Sequence, residues 1–178
     1  RGLTDLLLFK RDGGTARSLV LYEANGIATI LSKKPGYTVS ANLLDTIRQH
    51  TAPSILICTG FLEFELPLVR ALFTAPGVAE ARILSPHVGC YATPSGREQC
   101  LALAEQADLF QANAFELGRL LDQGDDWQFP TDSQVAQDTL QQVGSRIVCI
   151  TLGSGGSITY DRESQQLLIQ RAYDTNPI

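Results

Sequence analysis

Apolar positions along this chain fall into three regimes: strand-like runs first, then alternating strands and helices, then a closing strand pair. Leu6-Leu-Leu-Phe9 is a short apolar run broken by Arg11-Asp-Gly-Gly14. The β-rich runs 18–23 and 27–32 flank Ala24-Asn-Gly26, where Asn-Gly supplies the positive φ of a tight hairpin turn. Pro35-Gly36 closes this region, and Ser40 reads as the N-cap of a helix carrying Leu43, Leu44 and Ile47. Strands are then expected at 54–58, 81–84, 109–110 and 146–151. Between them lie helical patterns at 65–73, with Pro67 tolerated in its first turn, and at 95–106. A third helix follows Asn113 with Leu117, Leu120 and Leu121 as its apolar stripe. A fourth starts at Thr131 or Asp132 and buries Val135, Leu140 and Val143. Runs 157–160 and 167–171 are the final strand pair.

Strands alternating with helices imply βαβ units in a mostly parallel sheet covered on both faces, with antiparallel additions at each end. The expected fold class is therefore α/β, a three-layer α/β/α arrangement plus an N-terminal β-hairpin and a C-terminal antiparallel pair. No linker or repeat interrupts it, so residues 1–178 read as one domain, with a β-rich region 1–36 and an alternating region 37–178.

Composition narrows the function classes. With 44% hydrophobic residues over 178 positions, the chain can bury a sizeable core. A net charge of -5 argues against a general nucleic-acid or anionic-membrane surface. No apolar stretch approaches the roughly 20 residues that span a bilayer, and the opening residues lack a signal-peptide cleavage site. Cys58, Cys90, Cys100 and Cys149 have no metal-ligand spacing and read as reduced thiols of a cytoplasmic protein. The absence of Met and the start at Arg1 raise the expectation of a fragment or processed chain.

Two stretches carry candidate chemistry. Asn113 followed by Glu116 at a helix start is a capping-box spacing, and it also places an amide and a carboxylate where open α/β sheets bind ligands. Thr151-Leu-Gly-Ser-Gly-Gly156 follows an apolar strand; it is either a tight turn or a backbone nest for an anion. It matches neither a Walker A loop nor the dinucleotide fingerprint. His50 and His87 have helix-end and loop explanations, and Glu63, Glu65 and Asp125-Asp126 read as solvated surface.

Asp108-Leu-Phe-Gln-Ala-Asn-Ala-Phe-Glu, followed by Ile147-Val-Cys-Ile-Thr-Leu-Gly-Ser-Gly-Gly156, resembles the ribokinase (phosphofructokinase-B) family of ATP-dependent small-molecule kinases. The order of upstream segments, from Arg17 through the Gly-centred hairpin to Ile83-Leu-Ser-Pro86, is similar too. The resemblance implies a ribokinase-like fold and a carbohydrate kinase that phosphorylates a sugar hydroxyl, using ATP and Mg²⁺. It implies Asn113 near the ATP phosphates, Glu116 on Mg²⁺ through water, and Thr151, Gly153, Ser154, Gly155 and Gly156 along the nucleotide. The region of the hairpin helps form dimers in that family, so a homodimer is one implied assembly. Ala112 replaces the Pro usual before the motif's Asn. The family's N-terminal Gly-Gly sugar motif and its Gly-Ala-Gly-Asp segment are absent, so no catalytic residue is assigned and the Asp base is expected beyond Ile178. A nucleoside kinase, or a catalytically silent nucleotide- or sugar-binding relative serving as sensor or partner subunit, are the alternatives.

Overall fold

The computed structural model describes residues 17–22, 28–33, 55–75, 79–124 and 126–172, and the chain divides into two compact units, 1–40 and 41–178. The expected 6–9 run, the Asn25-Gly26 turn, the helix after Ser40 and His50 lie outside the described residues. In the first unit β1 (Arg17–Tyr22) pairs antiparallel with β2 (Ala28–Lys33), with Val20 opposite Ile30, as the hairpin pattern predicts.

The second unit holds a six-stranded sheet in sequence order: β3 (Ile55–Thr59), β4 (Ala81–Ser85), β5 (Leu109–Asn113), β6 (Ile147–Thr151), β7 (Ser157–Asp161) and β8 (Gln166–Gln170). β3 to β6 are parallel, while β6–β7 and β7–β8 are antiparallel. Register sorts the side chains by face, because successive strand residues point to opposite sides. One row runs Cys58, Leu84, Phe110, Val148, Tyr160, Leu167 across all six strands. Its four central members are fully buried.

Four helices cover that face: α1 (Leu66–Thr74), α2 (Pro94–Ala104), α3 (Ala114–Leu120) and α4 (Ser133–Gln141). Leu66 and Val69, Cys100 and Leu103, Leu117 and Leu120, and Ala136 and Leu140 join the strand residues in a single core. Right-handed crossovers between neighbouring parallel strands taken in order keep every helix on one side. The neighbouring row, Ile57, Ile83, Leu109, Ile147, Asp161 and Gln166, therefore faces the other way. On that side Ile57 remains 60% exposed. Of the three expected layers, the described residues supply the sheet and one helical layer.

Several boundaries differ from the sequence reading. β5 extends through Asn113 instead of stopping at Phe110, because its backbone stays paired with β6 up to the helix cap. α2 starts one residue early, at Pro94, because the Thr93 hydroxyl accepts the Gly96 N–H at 3.0 Å. Asp132 is the cap of α4, accepting the Gln134 and Val135 N–H groups at 3.0 Å each. Val135, expected in the core, is half exposed, and Ala136 takes the inward position. The packed stripe of α4 is Ala136 and Leu140, continued by Val143 just past its end.

Candidate functional site

Asn113 is both the last residue of β5 and the cap of α3, so a strand turns into a helix with no intervening loop. Its extended backbone (φ -92°, ψ 170°) points the side chain at the first helical turn. Asn113 Oδ1 accepts the Glu116 N–H at 2.8 Å, and Glu116 Oε2 accepts the Asn113 N–H at 2.9 Å. This reciprocal pair is a formed capping box. Its position is set by β5–β6 register, which places Asn113 directly opposite Thr151. Two motifs far apart in sequence thus end side by side at the C-terminal edge of the parallel strands.

Beyond Thr151 the chain makes a 3-10 turn, Gly153–Gly155, and reverses into β7. The turn is closed from within. Leu152 N–H donates to the Gly156 carbonyl at 2.8 Å, Gly155 N–H to the Leu152 carbonyl at 3.0 Å, and Gly156 N–H to the Gly153 carbonyl at 3.1 Å. Three N–H groups of the expected nest are therefore spent inside the turn, while Thr151, Gly153, Ser154 and Gly155 lie at the surface. Gly156 has φ +93°, and a Cβ there would overlap the Gln170 carbonyl oxygen of β8. The close approach of two strands, together with the positive φ, selects glycine.

The other candidates have structural partners. His87 caps the 3-10 turn Val88–Tyr91, its Nδ1 accepting the Gly89 N–H at 3.0 Å. Glu63 and Glu65 are not simply solvated. Glu63 Oε1 accepts the Thr93 hydroxyl at 2.8 Å, and Glu65 Oε2 accepts the Leu62 N–H at 2.9 Å, because turns at this sheet edge need acceptors. All four cysteines are free thiols, and Cys90 and Cys100 are fully buried. Burial pushes the Cys58 thiol up to about 11. A hydrogen bond with Cys90, then burial, pushes Cys100 up as well, so neither is an activated nucleophile.

No group of three or more His, Cys, Asp or Glu that could cage a metal occurs among the described residues. Glu116 is half-buried, and each of its oxygens has acceptor capacity for more than one donor. One such carboxylate fits Mg²⁺, which keeps several waters and leans on substrate phosphates, and does not fit a protein-caged ion. A cavity of about 490 Å³ on the helix-covered side adjoins both motifs, between Phe115, Trp127, Phe129, Leu152 and Ile169. No charged side chain lines it. Sequence reading passed over Tyr91, which is 2% exposed and lies beside α3, because no local spacing marks it.

A mixed sheet whose parallel strands end in a capped helix start and a glycine turn is the layout of the small-molecule kinases that the motifs resemble. The pfkB family of carbohydrate kinases matches residues 56–178, and the chain belongs to that family. A comparison with curated proteins found no match. Among solved structures, the chain is similar to a ribokinase from Giardia lamblia, at 14% identity and a TM-score of 0.70, covering 93% of this chain and 50% of that one. It is also similar to the Arabidopsis thaliana ribokinase complexed with ribose and ATP, at 18% identity and a TM-score of 0.58, covering 93% and 51%. A Burkholderia thailandensis nucleoside kinase in complex with inosine matches at 12% identity and a TM-score of 0.63, covering 94% and 49%. At these identities the likeness concerns the fold, which is ribokinase-like. The chain spans about half the length of these structures.

Proposed function

We propose that the full-length protein is an ATP-dependent carbohydrate kinase, transferring the γ-phosphoryl group to a hydroxyl of a small sugar. The reading rests on one observation above all: Asn113 and Thr151, from separate motifs, are register partners at the mouth of the parallel strands. Ligands of open α/β sheets bind at such strand ends. In this reading Asn113 lies near the phosphates. Thr151, Gly153, Ser154, Gly155 and Gly156 line the nucleotide, with the surface members Gly153 and Ser154 approaching it most openly. Glu116 faces the water shell of Mg²⁺, whose chemistry when bound is to neutralise charge on the phosphate oxygens. These residues position and neutralise, which is most of what phosphoryl transfer asks of a protein. No residue of this sequence is assigned as the base that takes the acceptor's proton.

Residues 1–178 then contribute to one kinase domain, the hairpin region 1–36 and the alternating region 37–178. Four free thiols suit the cytoplasm as its compartment. The hairpin, present as β1–β2, makes a homodimer the assembly to test first.

The test is phosphorylation by the full-length protein of a panel of sugars, with nucleosides as the competing class. Formation of a sugar phosphate that needs both ATP and Mg²⁺ is the expected result. Product from nucleosides alone would move the substrate class, and tight nucleotide binding with no product would make the protein a silent relative. Glu116→Gln should weaken Mg-ATP binding by about tenfold or more, the scale of losing an interaction between charged groups.

A further inference from the structure

On the face opposite the helices, two neighbouring rows of strand residues differ in chemistry. The row Ile57, Ile83, Leu109 and Ile147 is apolar. Two residues nearer the C-terminal ends of the parallel strands, the next row on that face runs Thr59, Ser85, Gln111, Cys149, Thr159, Leu168. On β3, β4 and β5 it therefore presents two hydroxyls and an amide. Thr59 and Gln111 are exposed and Ser85 is half-buried. Thr59 and Ser85 are register partners, and the Ser85 carbonyl accepts the Gly60 N–H at 2.9 Å, so paired backbone holds the two residues side by side. Among the described residues no hydrogen bond engages any of these three side chains. No charged side chain occurs in this row, nor in the row above it, Asn113, Thr151, Ser157 and Gln170.

In the function proposed above, the nucleotide runs from the glycine turn after β6 to Asn113 at the end of β5. The strand order β3-β4-β5-β6 then points its phosphate end toward β4 and β3. The compound that receives the phosphoryl group must lie past that end, in line with the bond that breaks. We propose that Thr59, Ser85 and Gln111 belong to the acceptor subsite, and that the acceptor they take is a neutral polyhydroxyl compound rather than a sugar phosphate. Each hydroxyl of such a compound both donates and accepts, and so do the Ser and Thr hydroxyls and the Gln amide. A phosphate ester only accepts and calls for cations or converging backbone N–H groups, and this row supplies no cation. Gln111 lies two residues before Asn113 on the same face of β5, about 7 Å along the strand, so it borders nucleotide and acceptor alike. The inference rests on the nucleotide reading of Asn113 and the turn after Thr151, because that reading sets the direction.

The experiment measures steady-state phosphorylation by the full-length protein with Mg-ATP, using ribose, fructose and fructose 6-phosphate as acceptors. Wild type is compared with Thr59→Val, Gln111→Leu and Thr159→Val, and the melting temperature of each is recorded. Thr59→Val and Gln111→Leu remove hydrogen-bonding groups at nearly constant shape. Each should raise KM for the sugar about three- to tenfold, the scale of one lost hydrogen bond, with kcat, KM for ATP and melting temperature held. Thr159→Val, in the same row but beyond β6, should leave KM for the sugar where it was. An unchanged sugar KM in both Thr59→Val and Gln111→Leu overturns the subsite and leaves the kinase reading standing. A rise in KM for ATP alone assigns the row to the nucleotide and overturns it too. So does a raised sugar KM that comes with a lower melting temperature, the mark of a structural role. Fructose 6-phosphate used in preference to fructose overturns the neutral acceptor. No product from any acceptor overturns the kinase reading itself, and this inference with it.

Discussion

Replacing Asn113 by Ala removes the oxygen that holds the Glu116 N–H at 2.8 Å, leaving a helix-start donor without its cap. Lost N-caps of this kind cost about 1 kcal/mol, so Asn113→Ala should unfold at correspondingly lower urea. Glu116→Gln behaves differently, because Gln also serves at the third helical position of a capping box. Stability should hold while Mg-ATP binding falls, which separates charge from capping. A second residue-scale case is Asp161. Ser164 Oγ–H donates to its Oδ2 at 2.9 Å and the Glu163 N–H to its Oδ1 at 2.9 Å, and these bonds lower its pKa below the ordinary carboxylate value. A group depressed in the folded state stabilises above its unfolded pKa, near 4, and that contribution fades as pH falls through the lowered folded value. Proton titration followed by NMR should place the Asp161 midpoint below that of a model peptide; a midpoint at or above it contradicts the turn geometry. Asn113, Glu116 and the glycines were legible in the chain because caps and turns obey rules spanning three or four residues. Tyr91 was not, because part of what buries it comes from α3, more than twenty residues on.

Short elements here depend on what they pack against. α3 has seven residues, too few to persist alone in water. It survives through its capping box, its buried Leu117 and Leu120, and the close seat of Trp127 on Gly118, where a Cβ would come within 2.6 Å of the indole. Trp127 in turn meets Phe129 edge-on at 6.0 Å, tying the following loop to the helix. α4 shows where periodicity misleads. Val135 and Ala136 are adjacent, and hydrophobicity alone favours Val135 as the inward residue. The Asp132 cap sets the helix start, and packing turns Ala136 inward. Val135→Ser should therefore change stability by no more than about 0.5 kcal/mol, whereas Leu140→Ala should cost about 2–5 kcal/mol. Chemical denaturation of both variants checks this, and a large loss for Val135→Ser would show the face wrongly assigned.

Across the whole molecule, the run of apolar strands and amphipathic helices was enough to expect a mostly parallel α/β sheet with antiparallel ends. It could not say that β3 to β8 lie in simple sequence order, nor that all four described helices share one face. That order leaves Ile55, Ile57 and Leu168 more than half exposed on the opposite side, and residues the sequence shows only as strand-like acquire two different fates. The amino-acid sequence by itself determined the succession of elements, the capping box at Asn113 and the glycine turn after Thr151, since each follows from periodicity or spacing between near neighbours. Tertiary structure alone decided that Asn113 faces Thr151, that three loop N–H groups turn inward, and that the Tyr91 hydroxyl is buried without a hydrogen-bond partner. Strand register and packing join residues far apart along the chain, and no local pattern carries that information.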